Sequence, residues 1–582
     1  MSFILPQNDS NAKRPGELDS VRKEYAYDHK YGFPLVVKYQ KRDMNASKDW
    51  YTGVFKTLTE IRANVQAVLE KTGWQPTNKI PTLSPLDLAN FLLDGNIPNL
   101  FDIYLTDLGT IKGGGRPTSL DDYKQVFQTV MKTYSAEKFM DDEQFAHTFI
   151  AGPHANAFGL MREIPANFPI TDEIFRKTKQ FQSDNLKKAI AAGRVYIADY
   201  KEMSTLTDGA HALQKKYVYK PIVAFALPEG ETKLVPFAIQ CGQQPGEEFP
   251  IFTPADTWAW QMAKGTAWVA HYIFHELVSH LGTTHLLMEP IVIATRRQLH
   301  ASHPIYNLLS PHFEGTMLIN GLADSSLIQE NQYVDRLVGS SLKSNFDFLS
   351  KSRLDYSFTA NMLPNRLKAK GLMSTKRLPV YHFRDDAIPI WNATRNWVAR
   401  YVDRHYKDDS EVKADFELQM WAAEISSQKG GCVKDFAAIE GVDGKDQLID
   451  TCTMIIYTSG PQHAAVNFPQ LTDMSFIPGG PLAGYRQAPE HTMLTEKDFL
   501  DFLPPMDIAI KQWQIMHFLG SVRYTRFGFY DDDLFKDAAI KAAAAKFRSD
   551  LERIEVDIKS RNQSRTAYSV LLPSLIPQSI NI

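Results

Sequence analysis

The stretch "HELVSHLGTTHLL", residues 275–287, carries histidines at positions 275, 280 and 285. In a regular α-helix five residues turn the chain by about 500°, so neighbours in this series lie about 140° apart around the helix axis. That separation is poor for two ligands of one metal ion. A π-type turn, whose hydrogen bonds join residues five apart, brings such residues nearly into line, and turns of this kind occur mainly at functional sites. The spacing therefore predicts a metal-binding helix that contains a π-bulge.

Two other interpretations of this stretch stay open when it is taken alone. His275 and Glu276 begin like the zinc-protease motif H-E-x-x-H, but the next histidine comes one residue late, so the histidines would not share a face with the glutamate as base. The three histidines are also compatible with core positions, because the residues around them are mostly apolar. Buried histidines then need hydrogen-bond partners or a metal.

Two further candidate ligand sources lie near the end of the chain. In "GPQHAAVNFPQ", His463 and Asn467 are four residues apart, which places them about 40° apart on a helix. The chain ends in the apolar "YSVLLPSLIPQSINI", although a free terminus usually frays into solvent. If this tail is threaded inside, the α-carboxylate of Ile582 becomes an anionic oxygen ligand. A chance pair on a helix and an apolar tail packed on the surface are the alternatives.

Composition narrows the class of protein. The 582 residues are 44% hydrophobic with a net charge of −3, which allows a large core and lacks the basic excess of nucleic-acid binders. The three cysteines, Cys241, Cys432 and Cys452, lie far apart and predict neither a disulfide framework nor a thiolate metal site. No run reaches the roughly 18 uninterrupted apolar residues of a membrane span. We expect a cytoplasmic protein, with peripheral association with a membrane left open.

Apolar periodicity predicts a mainly helical fold with a small β subregion. Residues 54, 58, 61, 65 and 68 form one apolar stripe, which indicates an amphipathic helix docked on the body or, alternatively, on a membrane surface. Residues 217–227 and 234–241, separated by "PEGETK", predict a β-hairpin. Beyond residue 255 the pattern is mostly helical. The Pro-, Ser- and Thr-rich residues 77–91 are the best candidate domain boundary.

The histidine pattern as a whole resembles that of the lipoxygenase family. The family signature H-x4-H-x4-H-x17-H-x8-H is matched by histidines 275, 280, 285, 303 and 312, and "HAAVN" and the tail resemble family segments. The resemblance covers roughly residues 95–582 and implies a large helical catalytic domain at 96–582. The N-terminal β-sandwich of plant and animal members has no counterpart, so the chain is similar to a bacterial, cyanobacterial-like short form. Residues 1–95 would then be a helical N-terminal extension.

The resemblance also implies a site and a cofactor. The expected ligands of one non-haem iron per chain are His280, His285, His463, the Asn467 side-chain oxygen and the Ile582 carboxylate. Manganese is a less expected occupant, since three imidazoles with oxygen donors suit either metal. His275, Glu276 and Gln470 would lie next to the ligands, while His303 and His312 would be structural. Ala323 and Leu327, in "TMLINGLADSSLI", would contact the substrate.

The activity implied by the resemblance is dioxygenation of polyunsaturated fatty acids that contain a cis,cis-1,4-pentadiene, such as linoleate or linolenate, within oxylipin biosynthesis. An iron(III)-bound hydroxide removes the bis-allylic hydrogen, and O₂ traps the radical to give a hydroperoxide, so no side chain serves as a catalytic acid or base. We expect a monomer that binds fatty acid and O₂ and no nucleic acid. The alternatives are a hydroperoxide isomerase on the same scaffold and a non-catalytic lipid-binding protein.

Overall fold

A long buried helix that contains the histidine stretch runs through the centre of the protein. The computed structural model describes residues 3–43, 46–79, 105, 107–112, 115–211, 214–436 and 441–582. Residues 257–298 form this helix without interruption, as α7, a π segment and α8. The helical stretch of residues 254–298 is long and apolar enough to span a membrane by length and composition. However, 94% of its apolar 18-residue window is buried inside the protein. This helix therefore forms the centre of the core.

The rest of the described chain is also mainly helical. The α-helices described are α1 (Arg14–Glu24), α2 (Lys48–Thr72), α3 (Tyr134–Lys138), α4 (Asp142–Ala151), α5 (Asp172–Arg176), α6 (Leu186–Ala191), α7 (Thr257–Phe274), α8 (Leu286–Gln298), α9 (Pro304–Leu309), α10 (Thr316–Ser326), α11 (Tyr333–Leu337), α12 (Leu342–Asp355), α13 (Leu363–Ala369), α14 (His382–His405), α15 (Asp409–Ala414), α16 (Phe416–Ser426), α17 (Lys445–Tyr457), α18 (His463–Asn467), α19 (Glu496–Phe502), α20 (Met506–Ser521) and α21 (Ala538–Arg561). The π segments are His275–His285, Thr458–Gln462 and Gln470–Met474.

Short strands form three small sheets, one of five strands and two of two strands. They are β1 (Tyr27–Asp28), β2 (Leu35–Val36), β3 (Gly159–Leu160), β4 (Val195–Asp199), β5 (Ala210–His211), β6 (Gln214–Lys215), β7 (Ile222–Ala226), β8 (Val235–Gln240) and β9 (Ile251–Phe252). Strands β7 and β8 pair antiparallel at the centre of a five-stranded sheet of order β3-β4-β7-β8-β9. The hairpin predicted from the sequence is confirmed. The expectation of a mainly α protein with a small sheet subregion is confirmed with it.

The N-terminal amphipathic stripe also becomes a helix docked on the body. Helix α2 begins at the Ser47 cap, whose side chain accepts a hydrogen bond from the Trp50 amide, and ends at Gly73 in the left-handed conformation (φ 69°). Its five predicted apolar residues are all buried, and it packs against α20. The docked-helix interpretation is therefore confirmed for α2. The boundary predicted at residues 95 and 96 lies outside the described residues and stays a prediction.

Candidate metal centre

The central helix changes its hydrogen-bond pattern where the histidines begin. Helix α7 passes at His275 into a π segment that ends at His285. Because this segment closes hydrogen bonds five residues apart, side chains with that spacing leave the same side of the helix. The Nε2 atoms of His280 and His285 lie 3.3 Å apart. The π geometry predicted from the spacing is confirmed, and it places two imidazoles side by side.

A second helix with π turns brings the third imidazole to the same place. After α17, a π segment that contains Pro461 leads directly into α18, which begins at His463. The ring centre of His463 is 5.5 Å from that of His280 and 5.1 Å from that of His285. One nitrogen from each ring lies within 4.8 Å of the others. These three residues form the histidine cluster.

The two other predicted ligands are Asn467, which ends the helix that begins at His463, and Ile582, the last residue of the chain. The Asn467 amide nitrogen donates to the Leu519 carbonyl over 2.7 Å, and Gln470 Nε2 donates to Asn467 Oδ1 over 2.9 Å, so the orientation of the amide is held. Ile582 is 1% exposed and lines the same pocket as two of the histidines. Burial holds the pKa of His463 well below its usual range, and the backbone of Ile582 acts in the opposite direction.

Four hydrogen bonds hold the chain's last residues inside the protein. His312 Nδ1 donates to the Gln578 carbonyl (2.9 Å), the Ser579 hydroxyl to the Glu314 carbonyl (2.6 Å) and the Thr316 hydroxyl to the Ile580 carbonyl (3.2 Å). The Trp50 indole donates to the Asn581 carbonyl over 2.5 Å. The tail is therefore threaded into the interior, and the alternative of an apolar tail on the surface is wrong.

The histidine cluster fits a metal ion. Both ring nitrogens of His463 are buried and make no hydrogen bond of good geometry with a described residue, although the Ile582 backbone lies near enough to act on the ring. This arrangement is costly unless something else binds the nitrogens. Burial lowers the pKa of His280 and of His285 to about 3, so both rings are neutral, which is the form that binds metal. Three imidazoles with an amide oxygen and a carboxylate suit non-haem iron or manganese.

The first histidine of the series joins the two helices. His275 Nε2 lies 2.8 Å from the Val466 carbonyl on α18, so this nitrogen carries a proton and donates it. The Glu276 carboxylate lies 3.7 Å from His275 Nδ1 and 3.6 Å from His280 Nδ1. Burial raises the pKa of Glu276. Both residues therefore lie next to the cluster, as predicted, and His275 is turned away from its centre. The zinc-protease interpretation fails because His275 Nε2 donates to the Val466 carbonyl, and His275 is not one of the three histidines whose nitrogens converge.

An apolar pocket of about 90 Å³ ends at the histidine cluster. Ala323 and Leu327, the two predicted substrate contacts, both line it. Its remaining lining residues are Glu276, Leu277, His280, Leu281, His285, Ile319, Ile328, Tyr333, Val334, Leu337, Val338, Leu482, Ile515, Met516, Leu519 and Ile582. A narrow apolar pocket next to a group of ligating atoms is suited to a hydrocarbon chain.

Comparison with known proteins identifies the family. The lipoxygenase family profile matches residues 121–576. The chain belongs to the lipoxygenase family. It is 36% identical over 502 residues to a linoleate 9/13-lipoxygenase of Pseudomonas aeruginosa, which covers 83% of this chain and 72% of that protein. It is 31% identical to the human hydroperoxide isomerase ALOXE3, over 84% of this chain and 69% of that protein.

A solved structure shares the fold of this lipoxygenase. An anaerobic crystal structure of the delta413-417:GS lipoxygenase in complex with arachidonate superposes with a TM-score of 0.87 at 25% identity, and it covers all of this chain and 84% of that one. The chain is thus an enzyme of the lipoxygenase family, whose members use a non-haem metal. The ligand assignment for this chain is a prediction, which the geometry of its own residues supports.

Sequence reasoning missed two residues that orient His285. The lipoxygenase places Asn320 Oδ1 2.9 Å from His285 Nδ1, so that nitrogen donates and Nε2 faces the cluster. Asn320 Nδ2 in turn donates to Glu289 over 2.7 Å, and Glu289 also accepts from the Val36 amide over 3.0 Å. Such chains of contacts set the direction and basicity of a metal-binding imidazole. The sequence offered one indication of this role. Asn320 and Glu289 are polar residues in otherwise apolar helical stretches, and buried polar residues need polar partners.

The last two histidines of the family signature lie away from the cluster. His303 Nε2 lies 2.9 Å from the Asp415 carboxylate, and its Nδ1 accepts from the Ile305 amide over 3.0 Å, which caps α9. His312 binds the Gln578 carbonyl of the tail, as described above. Both rings are fully buried. Their contacts are consistent with the predicted structural roles, and His312 acts on the site through the tail.

Proposed function

We propose that this lipoxygenase is a non-haem iron dioxygenase that converts linoleate- or linolenate-type fatty acids into hydroperoxides. The observation that carries the proposal is the convergence of three neutral imidazoles and the buried Ile582 at the end of an apolar pocket. His280, His285, His463, Asn467 and Ile582 would hold the iron. When bound, the iron supplies the redox chemistry that removes a bis-allylic hydrogen.

The protein's own residues position the substrate and exclude water. Ala323 and Leu327 lie on the pocket wall close to His280 and His285 and would contact the pentadiene. Since most of the wall is aliphatic, the radical formed from the substrate would mainly meet side chains that do not react with it. The Asn320 and Gln470 contacts hold one imidazole and one amide in place, so that the ligands need no rearrangement during turnover.

The test measures product and metal together. Purified protein is given linoleate, and we expect conjugated-diene absorbance to rise in step with oxygen uptake. Metal analysis should find about one iron per chain, and manganese in its place would correct the metal but keep the family chemistry. His463→Ala should remove both metal and activity, whereas His405→Ala, a histidine of α14 outside the cluster, should retain both. Metal-free protein that is fully active would overturn the proposal.

The second candidate is hydroperoxide isomerisation. The similarity to the hydroperoxide isomerase ALOXE3 favours it as the alternative. An isomerase would consume a supplied fatty-acid hydroperoxide without oxygen uptake and without forming new diene from linoleate. The non-catalytic lipid-binding alternative would give no turnover of either compound. Oxygen uptake with linoleate therefore separates the three.

A further inference from the structure

The N-terminal hairpin, residues 27–36 with strands β1 and β2, packs against one wall of the apolar pocket. Its Phe33 forms a small buried cluster with Leu286 and Leu349. The side chain of Leu281 packs against this cluster and also lines the pocket. The hairpin is therefore joined to the pocket wall by continuous apolar contact.

A polar contact joins the same hairpin to helix α10. Asp324 directly follows Ala323, which lines the pocket. The Tyr31 hydroxyl donates to Asp324 Oδ1 over 2.8 Å, and Lys30 Nζ lies 3.1 Å from Asp324 Oδ2. The Asp324 side chain is 23% exposed, so water reaches it only in part. One hydrogen bond and one ion pair thus hold the last turn of α10 against the hairpin.

The contact between Tyr31 and Asp324 extends to the residues that follow α10. Gln329 Nε2 donates to the Asp324 carbonyl over 2.6 Å and to the Tyr31 hydroxyl over 3.0 Å. Between these residues, the Leu327 amide donates to the Ala323 carbonyl over 3.0 Å. Both Ala323 and Leu327 line the pocket. This part of the pocket wall is therefore held as one unit, and the Tyr31 hydroxyl belongs to it.

The ring of Tyr31 is held independently of its hydroxyl. It stacks on Phe346 of α12, with ring centres 4.9 Å apart and ring planes 5° from parallel. Helix α12 in turn contacts the π segment that carries His280 and His285. The hydroxyl therefore has a defined position relative to the histidine cluster, and it can be removed while the stacked ring stays.

We propose that Tyr31 is a positioning residue, which through Asp324 holds Ala323 and Leu327 in place and thereby sets which end of the substrate radical reacts with O₂. The inference rests on the proposed function and deepens it, because it assigns a part in product selectivity to the N-terminal hairpin. Residue 31 itself does not line the pocket, so its effect is exerted through the wall.

The chemistry of the radical makes the wall decisive. Loss of one bis-allylic hydrogen leaves an unpaired electron shared between the two ends of the pentadienyl unit. O₂ forms one C–O bond at one end, and the electron and proton removed in the first step complete the hydroperoxide. The two ends carry similar substituents, so the shape of the pocket must distinguish them. In a pocket of about 90 Å³, a small displacement of the wall changes which end is open to O₂.

The test is the ratio of the two positional hydroperoxides formed from linoleate, measured by chromatography together with metal content and thermal midpoint. The wild-type protein should favour one isomer. Tyr31→Phe keeps the stacked ring and removes the donor, and it should move the ratio toward equality by a factor of about two to ten, the range expected for one lost hydrogen bond. An unchanged ratio, or an equal mixture from the wild-type protein, would overturn the inference.

A second tyrosine of the same hairpin provides the matched control. Tyr27 donates to Glu424 of α16 over 2.9 Å and does not line the pocket. Tyr27→Phe should therefore loosen the hairpin to a similar degree, as shown by the thermal midpoint, and leave the ratio unchanged. If Tyr27→Phe and Tyr31→Phe change the ratio equally, the hairpin acts only through general stability and the inference is wrong.

Variants of the acceptor test the pair itself. Asp324→Asn keeps an oxygen for the Tyr31 hydroxyl and should retain the wild-type ratio, whereas Asp324→Leu should reproduce the effect of Tyr31→Phe. The double variant with Tyr31→Phe and Asp324→Leu should show no further change, and additive effects would count against the coupling. Failure of the proposed function would look different, because the wild-type protein would then form no hydroperoxide at all.

Discussion

Trp50 on the N-terminal helix α2 contacts the residue that precedes the predicted carboxylate ligand. Its indole nitrogen donates to the Asn581 carbonyl over 2.5 Å, and both residues are 1% exposed. Trp50→Phe keeps an aromatic ring and removes the donor. No water can reach a carbonyl buried to this degree without rearrangement. The substitution therefore leaves one unsatisfied acceptor directly beside Ile582.

The size of the effect follows from that acceptor. A buried polar group that loses its partner costs about 1–3 kcal/mol. The predicted carboxylate ligand can bind the metal only when the tail is docked. If the whole cost falls on docking of the tail, the affinity for metal therefore falls by a factor of about 5 to 150. The contacts of Gln578, Ser579 and Ile580 remain, so the tail should stay inside and some metal should be retained. We expect a reduced affinity for metal in a folded protein.

The assay is metal retention against a graded series of chelator concentrations, with the thermal midpoint measured alongside. Trp421→Phe is the control, because the Trp421 indole is equally buried and donates to Thr295 over 2.9 Å far from the tail. Both variants should lose similar stability, and only Trp50→Phe should release metal at lower chelator concentration. Equal metal retention by the two variants would refute the argument that α2 positions the chain terminus.

Three further predictions concern the tail, the pocket and pH. Appending Gly-Ser after Ile582 should cost most of the bound metal, because the added residues would displace the α-carboxylate of this buried residue; full occupancy in a tagged protein would contradict this. Ala323→Phe should fill the pocket and stop linoleate oxidation while metal content stays normal; retained turnover would argue against this pocket as the substrate site. Burial lowers the pKa of His312 to about 4. Between pH 6.5 and 4 this histidine is protonated in the unfolded chain and neutral in the folded protein, so its own contribution lowers the free energy of unfolding by up to about 1.4 kcal/mol per pH unit as pH drops. Urea unfolding at pH 7 and pH 5 should show a smaller loss for His312→Gln, and an unchanged difference would disprove the assignment.

Several features of this protein follow from local sequence. The five-residue histidine spacing predicted the π segment, since hydrogen bonding along one helix decides which side chains point the same way. The α2 helix and the β7–β8 hairpin could likewise be predicted, because the spacing of apolar residues shows which face of a helix is buried, and two apolar runs joined by turn residues indicate a hairpin. The family resemblance added the expected ligand set and the expected roles of His303 and His312.

Other features were decided only when the whole chain packed. His275 faces the Val466 carbonyl and not the cluster centre, although nothing in its local sequence distinguishes it from His280. Asn320 meets His285 across 35 residues, and Trp50 meets Asn581 across 531. The local sequence of either segment does not predict such a contact. The packing of the intervening helices decides which distant residues meet. Local hydrogen bonding and apolar periodicity thus defined the elements, and tertiary packing decided which of their polar atoms meet.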